Sequence, residues 1–452
     1  MFRNQSLHVT FARKCQRFVA TLIGRWVPSG AASKAALKLG GGTAIAQALV
    51  VLSAPILTRL YSPAEMGQYG VWLSFVGFAT VGVTLRYDMA IVPAQTDEEA
   101  DRLLIIAAAV SVPMTLIASL LMFGMIASNS VSFGSLPRTA VWGAFAVVLS
   151  FGLFTAVRYW AIRRHEFGGV ARATVAQGVG RAAVPVAAGL LGLGWWGLVL
   201  GELAGRFLGI GRLLQIAFHP MRDIVRRSPR AAFWKTAEIN WRYPVIVAPS
   251  ALLDALGGAL ALPLVAGAFG APAAGQLLIV QRLAGLPAAL IGASVADVFH
   301  ARVSVLFRDD PGQVRSTLLR TVVRLTLIAT AIYVPVAVVG IWGFASIFGE
   351  QWREAGYLVA LFTPLSIAAL AVSPVTRLYS VVHRPELKLI FDVGQIGVPV
   401  VSFAVLHQRG VGYWQCMAIY VGLSTAAFVL HLALTLWVAG LPPRTRGDRD
   451  AH

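Results

Sequence analysis

Long runs of apolar residues divide the chain into about twelve segments, with polar residues collected between them. Each run holds roughly 20 residues, enough for a helix to cross about 30 Å of hydrocarbon. The runs do not alternate apolar and polar positions, so they predict transmembrane helices rather than the strands of a barrel. The predicted spans are residues 38–60, 67–92, 102–127, 139–162, 170–193, 194–218, 243–267, 275–299, 321–348, 356–381, 388–406 and 414–439.

The composition agrees with this pattern. Of the 452 residues, 57% are hydrophobic and only 13% are charged. A soluble domain of this length needs more charge to cover its surface. The sequence therefore predicts an all-α polytopic membrane protein with almost nothing folded outside the bilayer.

The basic residues indicate the orientation. If the N-terminus is cytoplasmic, the inner segments hold most of the arginines and lysines, and the outer loops hold only Arg138, Arg353 and Arg409. The positive-inside rule then predicts that both termini are cytoplasmic. This distribution accounts for most of the net charge of +18 and argues against nucleic acid as a partner.

The first 36 residues combine apolar and basic positions. Phe11, Phe18 and Trp26 fall near one helical face, with Arg13 and Arg25 elsewhere around it. This segment is either a helix lying on the anionic inner leaflet or a disordered basic tail, and it is not a cleavable signal.

An internal repeat is the most informative feature of the sequence. A proline is followed after six positions by an aromatic residue, and after six more by Gly-Gln. The two copies are Pro55, Tyr61 and Gly67-Gln68, and then Pro263, Phe269 and Gly275-Gln276. A weaker pairing joins Tyr159 and Glu166 to Tyr379 and Glu386. The copies are separated by about 210–220 residues, half of the apolar part of the chain. This offset predicts two six-helix lobes in the same orientation, that is, parallel repeats.

This division gives the expected domain organisation. The parts are a cytoplasmic basic segment 1–36, a first lobe 37–218, a cytoplasmic basic linker 219–242, a second lobe 243–440 and a cytoplasmic tail 441–452. Two such lobes favour a transporter whose site lies between them. A scaffold or a membrane enzyme is the alternative, but the predicted outer loops leave little room for a catalytic segment. No metal-ligand spacing or ATPase-type phosphate loop occurs, so we expect no cofactor and no enzyme activity.

Residues 55–69, PILTRLYSPAEMGQY, resemble the N-terminal signature of bacterial polysaccharide flippases, as do residues 85–92 and the acidic run 97–100. These are the Wzx-like O-antigen and exopolysaccharide exporters of the multidrug/oligosaccharidyl-lipid/polysaccharide (MOP) superfamily. The remainder of the chain agrees with that family in helix number and lobe layout.

The resemblance implies a flippase that moves a polyprenyl-pyrophosphate-linked oligosaccharide between leaflets of the bacterial inner membrane. It also implies a MATE-like V shape, with a cavity lined chiefly by spans one, two, seven and eight. Membrane lipids, a coupling cation (H⁺ or Na⁺), and the polymerase and export proteins are the expected partners. An ion-coupled drug or metabolite antiporter of the same superfamily is the alternative.

Intramembrane arginines are the candidate substrate-binding residues. A charge at membrane depth costs about 2.5–3.5 kcal/mol on insertion scales, and the guanidinium fork suits phosphate. Arg59, Arg86 and Arg282 lie on the expected cavity spans, and Arg181 lies deep in span five. Snorkelling remains an equal alternative for Arg59.

Other charged positions admit structural explanations. Asp88 could pair with Arg86, and Glu202 and Arg206 have the i,i+4 spacing of an intrahelical ion pair. The candidates for ion coupling or gating are Asp254, Asp88 and Asp297.

Overall fold

The computed structural model describes residues 31–129, 131–382 and 385–440, and these ranges are helical with short connections. The α-helices are α1 (Ala31–Leu52), α2 (Ala54–Leu60), α3 (Pro63–Gly82), α4 (Tyr87–Ala90), α5 (Asp97–Ala127), α6 (Ala140–Arg163), α7 (Phe167–Leu190), α8 (Trp195–Arg227), α9 (Arg230–Ile239), α10 (Ala248–Ala259), α11 (Ala261–Phe269), α12 (Ala271–Pro287), α13 (Ala293–Asp309), α14 (Gly312–Phe348), α15 (Arg353–Val372), α16 (Leu378–Val381), α17 (Pro385–Gln408) and α18 (Tyr413–Val438). Short 3₁₀ segments occupy Val131–Ser135, Glu350–Trp352 and Ser373–Arg377, and π-helical segments occupy Tyr243–Val247 and Ala288–Gly292.

The all-α membrane class predicted from the apolar runs is confirmed. Within the described ranges, eight helical segments are long and apolar enough to cross a membrane. Helices overlap every predicted span, and the count of twelve crossings stays a prediction. The predicted segment 1–36 lies mostly outside the described residues, although residues 31–36 already belong to α1.

The predicted linker 219–242 is largely helical. Helix α8 continues through Arg227, and α9 follows after Pro229. Helix α9 contacts the beginning of α5, where Arg102 Nε donates to Thr236 Oγ1 at 3.0 Å. The linker is therefore attached to the first half of the chain.

Spans one and seven are broken at equivalent places. Helix α1 gives way to α2 at Ser53, and α10 gives way to α11 at Leu260. The repeat-related prolines Pro55 and Pro263 lie just beyond these junctions, and a proline has no N–H to donate to the residue four positions earlier. The repeat read from the sequence thus corresponds to a shared interruption.

Small residues set the closest helix contacts within each half. A Cβ built on Gly180 of α7 would lie 2.7 Å from Gly205 Cα of α8. In the second half, a Cβ on Gly356 of α15 would lie 2.1 Å from the Gly340 carbonyl oxygen of α14. Glycine allows two backbones to approach this closely. Close packing of this kind is one of the main forces that hold helices together in lipid.

The start of α3 is fixed by a capping box. Ser62 Oγ accepts from the Glu65 backbone N–H at 3.3 Å, and Glu65 Oε2 accepts from the Ser62 N–H at 2.8 Å. Pro63 occupies the first helical turn, where its missing N–H costs nothing. The family-like string therefore defines where this helix begins, which places Gly67 in its second turn.

Gly67 of α3 and Gly275 of α12 lie against each other where these helices cross. A Cβ on Gly67 would lie 1.8 Å from the Ala271 carbonyl oxygen, and a Cβ on Gly275 would lie 1.9 Å from the Pro63 carbonyl oxygen. The contact is reciprocal and joins the two Gly-Gln copies of the repeat. We call it the glycine crossing.

Two loops beside the crossing reach over to the other half. Trp352 Nε1 donates to the Thr58 carbonyl at 2.7 Å, so the loop between α14 and α15 contacts α2. Ser132 Oγ donates to the Pro263 carbonyl, so the loop between α5 and α6 contacts α11. These two contacts, the outer latches, close the predicted outer end together with the glycine crossing.

Candidate functional site

Helices α3 and α12 become less buried beyond the glycine crossing, since residues 274–280 of α12 are buried and residues 281–288 are half-buried or exposed. A Cβ built on Gly77 of α3 or on Gly285 of α12 would meet nothing within 4 Å. Arg282 lies one turn before Gly285 on α12 and is half-buried. The helices therefore pack tightly at the predicted outer end and are less buried toward the predicted inner side.

A group of charged side chains next to α3 surrounds Glu202 of α8. Its side chain is only 4% exposed. Arg181 of α7 donates to Glu202 Oε1 through Nε at 2.8 Å and lies within 2.7 Å of the same oxygen through Nη2. Arg206, one turn along α8, reaches Glu202 Oε2 only at 3.9 Å. The carboxylate therefore pairs chiefly with Arg181.

Arg158 and Arg206 complete the group. The Arg206 guanidinium lies 4.5 Å from the centroid of the Phe151 ring on α6, and Arg158 of α6 acts on it electrostatically. The Nε atoms of Arg158 and Arg206 are buried and bond to no described atom. We call Arg158, Arg181, Glu202 and Arg206 the arginine cluster. It has three guanidinium groups for one carboxylate.

Tyr69 links the arginine cluster to the second half of the chain. Its hydroxyl donates to Glu202 Oε1 at 3.0 Å, and its side chain is buried. The Arg282 guanidinium of α12 lies 5.5 Å from the centroid of the same ring, in cation–π contact. The structure thus brings together two predicted substrate-binding residues, Arg181 and Arg282, through a tyrosine of the family-like string.

Arg59 and Arg86 lie apart from this group. Arg59 is exposed at the end of α2 and donates to the Ser346 carbonyl of α14 at 3.3 Å. Arg86 has the left-handed φ of 60° before α4, and its buried Nε bonds to no described atom. Neither residue contacts the arginine cluster.

The three predicted acids have separate surroundings. Asp88 is buried and accepts from Thr84 Oγ1 at 2.5 Å, and the described side chains include no ion pair between Asp88 and Arg86. Asp297 forms an exposed ion pair with Arg377 at 3.1 Å. Asp254 is exposed on α10 and pairs with no described side chain. Asp297 lies one position from the repeat equivalent of Asp88, and the two acids have different contacts.

Sequence reasoning missed Tyr69 and Arg158 as members of the site. Tyr69 ends the family-like string two positions after Gly67, and that proximity was the available signal. Arg158 lies near the inner end of its span, where a cation is ordinary. No group of three or more His, Cys, Asp or Glu residues that could hold a metal occurs in the described part of the chain.

Comparison with known proteins identifies the class. The family model described as "Polysaccharide biosynthesis protein" matches residues 56–356, which is more than half of the chain. The chain therefore belongs to this family. No curated protein matches it in sequence.

Solved structures show the fold. An inward-facing multidrug resistance MATE family transporter of the MOP superfamily is 15% identical, with 87% of this chain and 93% of that chain covered and a TM-score of 0.62. An outward-facing structure described in the same words is 15% identical, with 90% and 94% covered and a TM-score of 0.57. The lipid II flippase MurJ, in an inward closed conformation, is 10% identical, with 88% and 86% covered and a TM-score of 0.63. The chain has the fold of MOP-superfamily transporters, and these neighbours are transporters or flippases rather than enzymes.

Proposed function

We propose that the chain is a flippase that moves a polyprenyl-pyrophosphate-linked oligosaccharide from the inner to the outer leaflet of the bacterial cytoplasmic membrane. The observation that carries the proposal is the arginine cluster, which Tyr69 of α3 links to Arg282 of α12 close to the glycine crossing. Planar guanidinium forks bind phosphate oxygens bidentately, and several guanidinium groups together suit the charge of a diphosphate. Membership in the polysaccharide biosynthesis family supports a glycan as the attached cargo.

The mechanism is alternating access of two parallel lobes with both termini cytoplasmic. The head group enters from the inner side while the glycine crossing and outer latches are closed. The polyprenyl tail stays in lipid, and Arg181 and Arg282 hold the diphosphate. The lobes then rock, the crossing opens, and the head group is released outside. An inside-negative membrane potential favours outward movement of the anion by about 2.3 kcal/mol per charge per 100 mV.

A proton or sodium ion could return the empty carrier. Asp254 is the best placed of the three predicted acids, because it is exposed and pairs with no described side chain. Asp88 and Asp297 are engaged by Thr84 and Arg377 respectively. We therefore place ion coupling at Asp254 and a local structural role at the other two acids.

The test is the amount and leaflet location of lipid-linked oligosaccharide in cells that lack the gene. We expect completed units to accumulate on the cytoplasmic side, with loss of surface polysaccharide. The wild-type gene should restore both, and Arg282→Ala should not. The matched control is Arg138→Ala, which removes an exposed arginine from the loop before α6. Normal transport by Arg282→Ala at normal abundance would show that Arg282 does not bind the substrate.

An ion-coupled antiporter is the second candidate, and the likeness to a multidrug transporter fold favours it. It predicts unchanged lipid-linked pools and normal surface glycan in the same cells. In that case the substrate is a small molecule, and Asp254 is the first residue to substitute.

A further inference from the structure

Glu202 holds the place that an anionic ligand would take in the arginine cluster. Its Oε1 atom receives Arg181 Nε at 2.8 Å and the Tyr69 hydroxyl at 3.0 Å. These are the contacts that a phosphate oxygen makes with a guanidinium fork and a hydroxyl donor. Glu202 Oε2, by contrast, has only Arg206 at 3.9 Å. One carboxylate oxygen therefore satisfies part of a site that offers more donors.

The remaining donors show that the site is underfilled. The Nε atoms of Arg158 and Arg206 are buried and bond to no described atom. An unsatisfied buried donor is costly, and the cost is larger for a charged group. Three guanidinium groups against one carboxylate leave an excess of positive charge within a predicted membrane lobe, where charge is expensive. A second anion with several acceptor oxygens would relieve both deficits.

An incoming anion could reach Arg181 without unfolding the lobe. The Arg181 side chain is 30% exposed, whereas its partner Glu202 is 4% exposed. Part of the Arg181 side chain is therefore accessible, whereas the carboxylate that it binds is not. Arg282, in cation–π contact with Tyr69, belongs to the second half of the chain, which moves relative to the first half in the proposed mechanism.

We infer that Glu202 is the resident anion of a diphosphate site and that an incoming diphosphate displaces it from Arg181. This inference rests on the proposed function for the identity of the ligand. Glu202 then has two roles. It compensates the arginines while the site is empty, and it recaptures Arg181 when the head group must leave. A cationic site without this internal competitor would hold a diphosphate too tightly to release it.

The test is anion binding to the purified full-length protein in nanodiscs, measured by calorimetry. The probes are inorganic pyrophosphate and a polyprenyl diphosphate, with the uncharged polyprenol as the blank. Glu202→Gln keeps the shape of the side chain and removes the competing charge. We expect pyrophosphate to bind the variant about tenfold more tightly. At protein dielectric values, the repulsion between a bound anion and a unit negative charge a few Å away exceeds the free energy of a tenfold change in affinity. Arg181→Ala should weaken binding by a similar factor.

The matched control is Asp97→Asn, which also leaves arginines short of an acid but at another place. Asp97 pairs with Arg163 and Arg164 at the beginning of α5. The control should bind pyrophosphate as the wild type does. If Glu202→Gln does not fold, Glu202→Asp keeps the charge but withdraws the carboxylate from Arg181 by one methylene group, which weakens the competing ion pair. That variant should tighten binding two- to threefold.

Equal or weaker binding by the folded Glu202→Gln protein would overturn the inference, and so would equal tightening by Asp97→Asn. If the wild type binds polyprenyl diphosphate but not inorganic pyrophosphate, the lipid is the ligand and the comparison is made with the lipid. The proposed function fails separately. Tighter binding by Glu202→Gln, together with unchanged lipid-linked pools in cells that lack the gene, would support the anion site and rule out the proposed flippase function.

Discussion

The glycine crossing makes a quantitative prediction about conformation. In the closed arrangement, a methyl group on Gly67 would lie 1.8 Å from the Ala271 carbonyl oxygen, whereas ordinary contact begins near 3.4 Å. The helices must then separate by about 1.5 Å, and overpacking of this kind costs about 1–3 kcal/mol. The cost falls only on the closed state, because the helices part when the outer end opens. Gly67→Ala should therefore shift the population toward the outward-open state by about fivefold to 150-fold.

The assay is labelling of a single cysteine from outside the cell with a membrane-impermeant maleimide. Ser74→Cys is the reporter, because Ser74 lies on the same face of α3 as Gly67 and is half-buried. The native cysteines Cys15 and Cys416 are replaced by serine. We expect faster outside labelling in the Gly67→Ala protein, together with slower transport of the lipid-linked substrate.

Two controls carry the same substitution on the same helices. Gly77→Ala and Gly285→Ala add a methyl group where nothing lies within 4 Å, so labelling and transport should stay at the wild-type level. Gly275→Ala should reproduce the effect of Gly67→Ala, since the contact is reciprocal. Equal behaviour of the crossing variants and the control variants at equal abundance would refute the argument.

Three further predictions concern single side chains. Trp352→Phe removes the indole N–H bond to the Thr58 carbonyl, worth about 1 kcal/mol, and should raise outside labelling of the same reporter about fivefold. Thr84→Val removes the hydroxyl donor to buried Asp88 and should lower the free energy of unfolding by about 1–3 kcal/mol, measured by thermal unfolding in detergent. Asp254→Asn should abolish the response of transport to an imposed proton or sodium gradient in vesicles, since it removes the proposed coupling carboxylate.

These predictions have their own controls. Trp342→Phe alters an exposed tryptophan and should leave labelling unchanged. Thr80→Val removes a hydroxyl that bonds only to the backbone of its own helix, and should cost less stability than the Thr84 variant. A gradient response retained by the Asp254 variant would assign coupling to another residue.

The sequence predicted the class and the repeat because both depend on periodicity and spacing along the chain. It related Gly67 to Gly275 but did not show that these residues touch, since spacing carries no information on how two halves meet. The spacing of Glu202 and Arg206 pointed to an intrahelical pair. In the structure, Arg181 from the neighbouring helix takes the closer contact, because Gly205 allows α7 to approach.

The candidate site was predicted only in part for the same reason. Arg181 and Arg282 were selected separately, by depth in their spans. Their connection runs through Tyr69, a residue with no charge to draw attention to it. Arg59 and Arg86 were selected because they lie on the expected cavity spans, and neither contacts the arginine cluster. Depth in the membrane can thus select a residue, whereas its rotation about the helix axis has to come from packing.

The glycine crossing has the form of an isologous dimer interface within one polypeptide. The Gly67 side approaches Ala271 and the Gly275 side approaches Pro63, so each position meets the counterpart of its own surroundings. Identical subunits make this kind of contact about a twofold axis. A six-helix ancestor with one such glycine would already have possessed both sides of the contact. Gene duplication and fusion would then have preserved the gate, while each copy became free to acquire different charges beneath it.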